Sequence, residues 1–548
     1  MIFVDKTDFI KRLMESEGTI FQITRPRGFG KSTNLAMLKY FLNNDQNSSM
    51  LFYDTEIMKD PVFCKTHQNK YPVIFIPFRD TARVSFAATM GQIKIMLAEL
   101  YDSFDNLLES MDPLPKSKFL NVMHNCAKEV ELENALLDLT KLLKAKFNKK
   151  VILLIDDFDE PLYKAFLNGY HSEMVNFLGN LFLNVLENEQ ILEKAVLTGI
   201  TSLNPEMGIT NIKSDSVMEP IFPQYFGFTE AEVKDVILKS KKNLDLLDFH
   251  KRLFGYQVGV FKLYNSLSVV NAVSKGRLPK FWSKNPTDAL AKKLVGRVGM
   301  AEKVSFDLIC ANHPVQKWIL PNLCYNDALY TNETAFWTFF VHVGYLNAVF
   351  SHKSDYLDIY SLSSPNPEVA DSFKSNVVSA VPPRFSTEKY LQCVNALKDD
   401  DLKMFFNHIS SFIGDCGMYQ TMRSYDAFVR TILTALYGEY YFEPVLEDHW
   451  FVRGFNVTMF PKDLRKDGIF FRFKIGLVEG NLQFFAAKAV AEGACRHTAA
   501  VVMSRGYEKV LVVGMAFAER SVGMNFTKII RVPRTTTLAP TTRPVIFL

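Results

Sequence analysis

The chain has 548 residues, which at about 150 residues per domain is enough for three or four compact domains with sizeable cores. A composition of 48% hydrophobic and 22% charged residues, with 26 Gly and 23 Pro, excludes a wholly disordered, collagen-like or coiled-coil chain. The net charge of +4 is too small for the overall field to drive binding to nucleic acid or to an anionic membrane.

The cysteines and the N-terminus indicate the compartment. Seven cysteines are scattered without a CxxC pair or a histidine at a ligand spacing, so we expect reduced, mostly buried thiols in an intracellular protein. The cytoplasm is the expected location, with the nucleus as the alternative. Asp5 and Lys6 precede any apolar run, which argues against a secretory signal. The longest uncharged stretch, 334–352, contains polar residues that favour a buried segment over a membrane helix.

The first part of the chain, residues 1–240, alternates short β-rich runs with helical periodicity. This alternation predicts an α/β fold, in which a parallel sheet carries helices on both faces and the crossovers are right-handed. The run before 156 is uninterrupted and apolar, as suits a strand buried on both faces. The predicted elements are strands at 20–24, 73–77, 151–155 and 195–198, and helices at 31–42 and 171–186.

The remainder of the chain changes pattern twice. Residues 241–385 read as a mainly helical region with proline-containing breaks, ending in a linker near 378–388. Residues 386–530 predict a smaller α/β domain, and 531–548 a Thr- and Pro-rich tail too poor in apolar surface to order itself. Within the smaller domain we expect helices at 425–437 and 486–503 and strands at 452–460, 469–474 and 510–517.

A glycine-containing loop, RPRGFGKST at 25–33, follows the first predicted strand and precedes a helix. This context is typical of a phosphate-binding loop, because glycines let backbone N–H groups close on phosphate oxygens at a helix N-terminus. Lys31 would reach the β and γ phosphates, and Ser32 would ligate Mg²⁺. The alternative is that Gly30, Lys31 and Ser32 only cap the helix.

A carboxylate cluster, LLIDDFDEP at 153–161, ends the buried strand. Asp156 would contact magnesium through water, and Asp157 would orient or deprotonate the attacking water. Open α/β sheets bind ligands at the carboxyl ends of their strands, so the loop and the acids are expected to share one pocket. The alternative is a solvated acidic turn that caps a helix.

Together these segments resemble the AAA-ATPase-like family, P-loop NTPases commonly fused to a C-terminal PD-(D/E)XK nuclease-like domain. ITRPRGFGKS resembles its modified Walker A motif, with Arg25 at the first glycine position, and LIDDFDEP resembles its Walker B motif. Further resemblances are FVDKT at 3–7, LTGIT at 197–201, FGFTEAEV at 226–233, YNSLSVVN at 264–271, FW at 281–282, GYL at 344–346 and PNPEV at 365–369.

The resemblance implies ATP and Mg²⁺ as cofactors. It assigns catalytic roles to Lys31 and Asp157 and metal-binding roles to Ser32 and Asp156. The residues it places around the nucleotide are Arg25, Arg27, Gly28, Phe29, Gly30, Lys31, Ser32 and Thr33.

Three departures from the family pattern shape this expectation. Asp157 stands where the family usually has Glu, which withdraws the carboxylate by roughly 1.5 Å and predicts slow hydrolysis. Ser202 stands where the family has a basic residue after the LTGIT strand, so a γ-phosphate sensor or charge stabiliser is lost. The sequence begins at FVDKT without the short segment that normally precedes it, so we expect a truncated N-terminus.

The C-terminal domain keeps the spacing of the nuclease motif but not its acids. Asn456 occupies the position of the metal-binding Asp and Arg472 that of the Glu, which leaves Lys474 from the motif. Two cations on one strand face disfavour magnesium, so we expect an inactive nuclease fold. Three alternatives stay open: an acid that has migrated, phosphate binding by Arg472 and Lys474 without cleavage, and a simply solvated strand. The acids that could migrate are Asp463, Asp467, Glu479 and Glu492.

The function predicted from the sequence is a Mg²⁺-dependent ATP-binding protein, a slow ATPase that uses nucleotide state to control conformation or assembly. One alternative is a nucleic-acid-cleaving enzyme with migrated acids, and another is a non-enzymatic scaffold. ATP is the expected partner. Nucleic acid and a second copy of the chain remain open, no membrane contact is expected, and no protein partner is indicated.

Overall fold

A computed structural model describes residues 3–44, 50–240, 242, 244–278, 287–297, 300–353, 358–378, 387–416, 440–443, 454–461, 463–474, 480–518 and 521–530. The chain divides into two compact units, Met1–Arg297 with Gln316–Val381, and Val298–Val315 with Pro382–Leu548. The predicted domain boundaries at 240 and 385 remain predictions. The predicted helix at 425–437 and the tail at 531–548 lie outside the described residues, as do FW at 281–282 and Glu479.

A five-stranded parallel sheet forms the centre of the first unit. Its order is β2–β3–β4–β1–β5, and every neighbouring pair is parallel. The predicted parallel α/β sheet is therefore confirmed. Because β4 lies between β1 and β3, the loops that follow β1 and β3 flank the carboxyl end of β4. The strands are β1 (Ile20–Thr24), β2 (Val73–Pro77), β3 (Val151–Asp156), β4 (Leu192–Gly199) and β5 (Ile212–Asp215).

Helices connect these strands, and two of them coincide with the helices predicted from periodicity. α2 begins directly after Gly30, and α9 buries the apolar face that its spacing of 3.6 predicts. The helices up to β4 are α1 (Asp8–Glu15), α2 (Lys31–Leu42), α3 (Pro61–His67), α4 (Phe86–Asp102), α5 (Pro113–Met123), α6 (Glu129–Glu133), α7 (Ala135–Phe147), α8 (Glu160–Asn168) and α9 (His171–Leu186). Short 3-10 turns lie at Glu56–Lys59, Asp105–Ser110, Glu189–Ile191, Pro205–Met207 and Pro223–Tyr225.

Three helices and a hairpin follow the sheet and share a separate apolar core. Val233, Phe249 and Val269 belong to this core, one from each helix. The elements are α10 (Glu230–Ser240), α11 (Leu246–Leu253), β6 (Phe254–Val258), β7 (Phe261–Tyr264) and α12 (Ser266–Lys275).

The last part of the first unit combines helices with a three-stranded sheet of order β8–β10–β9. The sequence predicted mainly helices here and missed these strands and the β6–β7 hairpin. The uncharged stretch at 334–352 forms a helix, whose residues from Ala335 to His342 are buried, followed by a strand. No helix in the described part of the chain is long and apolar enough to cross a membrane. The elements are α13 (Asp288–Val295), β8 (Val315–Trp318), α15 (Ala328–Thr331), α16 (Glu333–His342), β9 (Asn347–Lys353), β10 (Asp358–Ser363) and α17 (Pro367–Asn376).

The second unit is a smaller α/β arrangement around a mixed sheet of order β11–β12–β13–β14–β15. β13 and β14 run parallel, and the other neighbours run antiparallel. Its helices are α14 (Met300–Cys310), α18 (Thr387–Lys398), α19 (Leu402–Cys416), α20 (Leu482–Gly493) and α21 (Arg496–Ser504). Its strands are β11 (Tyr440–Glu443), β12 (Gly454–Pro461), β13 (Gly468–Lys474), β14 (Lys509–Ala518) and β15 (Ser521–Ile530).

Two predictions for this unit are wrong in detail. The single helix expected at 486–503 is two helices, since α20 ends at Gly493, a poor helix former, and α21 begins at Arg496. No strand was predicted after 510–517, whereas β15 follows it and pairs antiparallel with β14 at the sheet edge.

The cysteines only partly follow the expected burial. Cys64 and Cys393 are buried, whereas Cys126 and Cys495 are exposed. No disulfide joins Cys64, Cys126, Cys310, Cys324, Cys393 or Cys495. The expectation of mostly buried thiols is therefore wrong for Cys126 and Cys495.

A buried ion pair joins the end of β1 to the end of β5. Arg25 and Asp215 are both 0% exposed, and Arg25 Nη2 donates to Asp215 Oδ1 at 2.7 Å. Arg25 Nη1 also donates to the backbone oxygens of Asp215 and Thr24, at 2.8 and 2.9 Å. The Phe226 ring lies 5.4 Å from the guanidinium carbon. These contacts fix the first residue of the glycine-containing loop to the edge of the sheet.

We expect Asp215→Ala to destabilise the first unit by about 3–5 kcal/mol, because it leaves the Arg25 guanidinium buried without its carboxylate. Urea denaturation of the full chain would measure this. Asp235→Ala is the matched control, since it breaks an exposed i,i+4 pair with Lys239 and should cost under about 1 kcal/mol. Equal effects of the two substitutions would contradict the importance of the buried pair.

Candidate functional site

Two glycines give the loop at 25–30 its shape. Gly28 and Gly30 have φ values of +83° and +82°, which side-chain-bearing residues rarely adopt. A Cβ at Gly28 would lie 2.6 Å from Asn265 Oδ1, so this position also needs glycine for packing. A Cβ at Gly30 would meet nothing within 4 Å, so the space in front of Gly30 is open.

The carbonyl oxygens of the loop are all engaged, at Arg25, Pro26, Arg27, Gly28 and Phe29. Lys31 Nζ donates to the oxygens of Arg25 and Pro26 at 2.9 and 3.3 Å. The oxygen of Arg27 accepts from Asn265 Nδ2 at 2.7 Å. The oxygens of Gly28 and Phe29 accept from the backbone N–H groups of Leu267 and Gly227, each at 3.0 Å. The oxygens of the loop are thereby held by their neighbours.

The N–H groups of the same loop are available to donate hydrogen bonds to a ligand. Within the described ranges, nothing accepts a hydrogen bond from the N–H groups of Gly28, Phe29 or Gly30. The N-cap residue of α2 is Gly30, which has no side chain, so it offers no acceptor to the N–H donors of the first turn. Open N–H groups at a helix N-terminus form a binding site for an anion.

The residues that hold the loop come from two of the segments singled out in the sequence, 226–233 and 264–271. Phe228 and Tyr264 exchange backbone hydrogen bonds at 3.0 and 2.8 Å, which joins the two segments. The Phe29 ring packs edge-on against Tyr256, with ring centroids 5.1 Å apart. Both segments therefore serve as the outer support of the loop.

Two further segments singled out in the sequence, FVDKT and PNPEV, contact α10 and α12. Lys6, in FVDKT, pairs with Glu232 at 2.7 Å, although burial lowers the pKa of Lys6. Glu368, in PNPEV, accepts a hydrogen bond from Ser268 Oγ at 3.0 Å. These contacts brace α10 and α12, the helices that begin beside the loop.

The acidic end of the site lies where β3 ends. Thr198 on β4 donates from Oγ1 to Asp156 Oδ1 at 2.6 Å. The chain then turns at Asp157, whose φ of +50° is tolerated by Asp better than by most residues. Arg79, just beyond β2, contacts Asp157 Oδ2 through Nε at 3.2 Å and Nη2 at 3.1 Å.

Three residues of this cluster, Arg79, Asp159 and Glu160, were not predicted from the sequence to belong to the site. Asp159 is buried and accepts from the N–H groups of Ile200 and Thr201, both at 2.9 Å. Burial raises the pKa of Asp159. Burial and then the charge of Asp159 raise the pKa of Glu160 to about 7. Asp159 and Glu160 could have been predicted from the acidic run DDFDE to which they belong. Arg79 could not, because its partner, Asp157, is distant in sequence.

The loop and the acids meet at Lys31. Its side chain is buried, and this burial lowers the pKa of Lys31. Three negative charges raise the same pKa, with the largest effect from Asp157, then Asp159, then Asp156. The structure therefore brings the loop lysine and the carboxylates after β3 into one electrostatic neighbourhood.

The other predicted nucleotide-binding residues divide into two groups. Ser32 is half-buried in the first turn of α2, and Thr33 and Arg27 are exposed. The side chains of Arg25 and Phe29 are buried against Asp215 and Tyr256. The N–H of Arg25 donates to the oxygen of Gly199 at 3.1 Å, so neither its side chain nor its N–H is open to a ligand, whereas Phe29 keeps its N–H. The assignment of both residues to the nucleotide stays a prediction.

Ser202, where the family has a basic residue, is buried beside β4. Its N–H donates to the oxygen of Leu323 at 2.5 Å, and its Oγ donates to Asn322 Oδ1 at 3.2 Å. Asn322 Oδ1 also accepts from Ser214 Oγ at 2.7 Å. The segment around 322 thus covers this position.

The predicted nuclease positions lie together on β12 and β13. Asn456 and Arg472 face each other across these strands, and Arg472 Nη1 donates to Asn456 Oδ1 at 2.7 Å. Lys474 Nζ contacts Glu492 Oε1 and Oε2 at 2.9 and 2.8 Å. Glu492 is one of the four acids considered as migrated metal ligands.

Two of the other acids considered as metal ligands are paired with basic side chains. Arg465 lowers the pKa of Asp463 to about 2 by hydrogen bonding, and Asp467 pairs with Lys528. Among the residues with described placement, no three His, Cys, Asp or Glu side chains gather as metal ligands. A magnesium site after β3 would accordingly need oxygen atoms from the nucleotide as well, as is usual for Mg²⁺.

Residues 1–209 match the AAA-ATPase-like family, described as "Predicted AAA-ATPase". This match supports the resemblance seen in the sequence for the part that contains the parallel sheet, the loop and the acids. It suggests nucleotide binding by that part of the chain. The match ends before α10 and does not extend to the second unit. No curated protein matches the chain.

We expect Asn265→Ala to weaken Mg²⁺·ATP binding about tenfold, because it frees the Arg27 carbonyl and loosens the loop. Isothermal titration of the full chain would measure the affinity. Asn366→Ala is the matched control, since Asn366 caps α17 and donates to the Leu253 carbonyl in the same way. Both variants should lose about 1 kcal/mol of stability. An equal change of ATP affinity in both would contradict a specific role for Asn265.

Proposed function

We propose that the first unit binds Mg²⁺·ATP between the loop at 25–33 and the acids after β3, and that it hydrolyses ATP slowly. The observation that carries this proposal is the state of the loop, whose carbonyl oxygens are engaged while the N–H groups of Gly28, Phe29 and Gly30 find no acceptor in the described residues. Lys31 and the start of α2 add positive charge beside these donors.

Each residue of the loop has a definite role in this proposal. The N–H groups from Gly28 to Gly30 bind the phosphate oxygens. Lys31 Nζ exchanges its contacts with the backbone oxygens of Arg25 and Pro26 for contacts with the β and γ phosphates. The exchange is favourable because a phosphate carries full negative charge, whereas a carbonyl oxygen carries a partial charge.

The residues present also fit a magnesium ion. Ser32 Oγ and the carboxylate of Asp156 offer oxygen atoms, the ligand type that Mg²⁺ prefers. Thr198 holds one oxygen of Asp156 by its hydrogen bond of 2.6 Å, which orients the carboxylate. A magnesium ion held by these residues would neutralise the negative charge that develops on the phosphates during transfer.

Asp157 is the proposed acceptor of the proton from the attacking water. Both contacts of Arg79 go to Oδ2 of this carboxylate, so Oδ1 is the oxygen proposed to accept the proton. The side chain is one methylene shorter than glutamate, and this supports a slow reaction.

The nucleotide state would control conformation through the support of the loop. Gly227, Asn265 and Leu267 hold its backbone oxygens, so a loop that closes on phosphate shifts the segments that begin α10 and α12. We propose that this movement serves conformational change or assembly.

In the second unit, Asn456 and Arg472 in place of acids support a degenerate, inactive nuclease-like domain.

The proposal predicts that Mg²⁺·ATP raises the melting temperature of the full chain and that Lys31→Ala abolishes the rise. Lys39→Ala is the matched control on the same helix, because the Lys39 side chain lies over the Phe75 ring instead of the loop. Phosphate release should be slow and should fall at least tenfold in Asp157→Asn. A wild-type protein whose melting temperature ignores Mg²⁺·ATP would contradict the proposal and favour a scaffold.

A further inference from the structure

The backbone that carries Arg79 is fixed on both sides of this residue. Pro77, the last residue of β2, is in register with Asp156, and the Phe78 N–H donates to the Asp156 oxygen at 2.9 Å. Phe78 is buried, and its own oxygen accepts from the N–H and Oγ1 of Thr81 at 3.2 and 2.7 Å. Arg79 therefore has a defined place at the carboxyl end of the sheet, next to the end of β3, where open α/β sheets bind ligands.

The guanidinium group of Arg79 uses only part of its donors on Asp157. Nε and Nη2 contact the same carboxylate oxygen, Oδ2, at 3.2 and 3.1 Å. A guanidinium group has five N–H donors in one plane. Within the described ranges, Nη1 takes part in neither contact and has no acceptor of its own. Since the Arg79 side chain is 64% exposed, its Nη1 donors are accessible to a ligand.

Charge balance favours a second cation near the terminal phosphate. A triphosphate on the glycine-containing loop would approach the carboxylates after β3, and like charges repel each other at short range. Lys31 supplies one positive charge, but Arg25 is buried on Asp215 and cannot supply another. Ser202 stands where the family has a basic residue. Burial and, more weakly, the positive charge of Arg79 lower the pKa of Lys31, which indicates that the two cations lie in one electrostatic neighbourhood.

We propose that Arg79 binds the γ-phosphate of the nucleotide through Nη1 while Nε and Nη2 stay on Asp157. One guanidinium group then joins the proposed proton acceptor to the phosphate that reacts. Arginine suits this role because its planar group binds oxyanions along more than one edge. The inference rests on the ATP site proposed above, and it predicts that Arg79 distinguishes ATP from ADP, which lacks the γ-phosphate.

Isothermal titration of the full chain, with Mg²⁺·ADP and with the Mg²⁺ complex of a β,γ-imido ATP analogue, tests this role. Arg79→Ala should weaken binding of the ATP analogue about tenfold, because a charge-assisted hydrogen bond is lost. It should change the affinity for ADP less than about twofold, and this binding also shows that the variant is folded.

Arg83→Ala is the matched control in the same loop. Arg83 is exposed, and its Nη1 donates to the backbone oxygens of Asp80 and Ala82 instead of a carboxylate. Its removal should change the ratio of the two affinities less than about twofold. Equal changes of this ratio in Arg79→Ala and Arg83→Ala would overturn the inference.

A second comparison separates contact with the phosphate from shielding of Asp157. Without Arg79, the Asp157 carboxylate would repel the γ-phosphate more strongly, and this effect alone would also weaken binding of the ATP analogue. The effect of Arg79→Ala is therefore measured again in Asp157→Asn, which removes that negative charge. A loss of about tenfold that persists in this background supports direct contact, whereas a loss that disappears overturns it.

The same titrations separate this inference from the proposed function. A wild-type protein that does not bind the ATP analogue overturns both. If the wild-type protein binds the analogue, but Arg79→Ala weakens the analogue and ADP equally or weakens neither, the ATP site stands and the role of Arg79 is wrong.

Discussion

The buried ammonium group of Lys31 is the interaction on which the first unit's site depends. Burial disfavours its charge, and the carboxylates of Asp156, Asp157 and Asp159 favour it. These groups lie close together because β4 alone lies between β1, which leads to Lys31, and β3, which leads to the carboxylates. Thr198 and Thr201 hold Asp156 and Asp159 in place by hydrogen bonds. The sheet order thereby fixes both the charge balance and the place where a nucleotide would be held.

The shape of the loop is determined largely from outside the loop. Asn265 and Leu267 hold two of its backbone oxygens, and a side chain at position 28 would collide with Asn265. These supporting residues lie beyond residue 209, where the family match ends. The shape of the loop therefore depends on α12 as much as on the sheet.

Local patterns predicted much of the parallel sheet, whereas contacts between distant residues could not be read from the sequence. The apolar run of β3 and the glycines before α2 carry their own signal, so these elements were predicted with nearly correct bounds. The pair of Arg25 and Asp215 was not predicted, because the two residues lie 190 positions apart in the sequence. Arg79 was missed for the same reason. Strand β5 was missed because its sequence, IKSD, has no apolar pattern.

The most direct measurement is a crystal structure of the protein with Mn²⁺ and a non-hydrolysable ATP analogue. The account predicts phosphate density against the N–H groups of Gly28 to Gly30, with Lys31 Nζ on the terminal phosphates. It also predicts an anomalous Mn²⁺ peak between Ser32 and Asp156. A nucleotide bound elsewhere, or a loop that keeps Lys31 on the backbone oxygens of Arg25 and Pro26 with no ligand in front of it, would contradict the account.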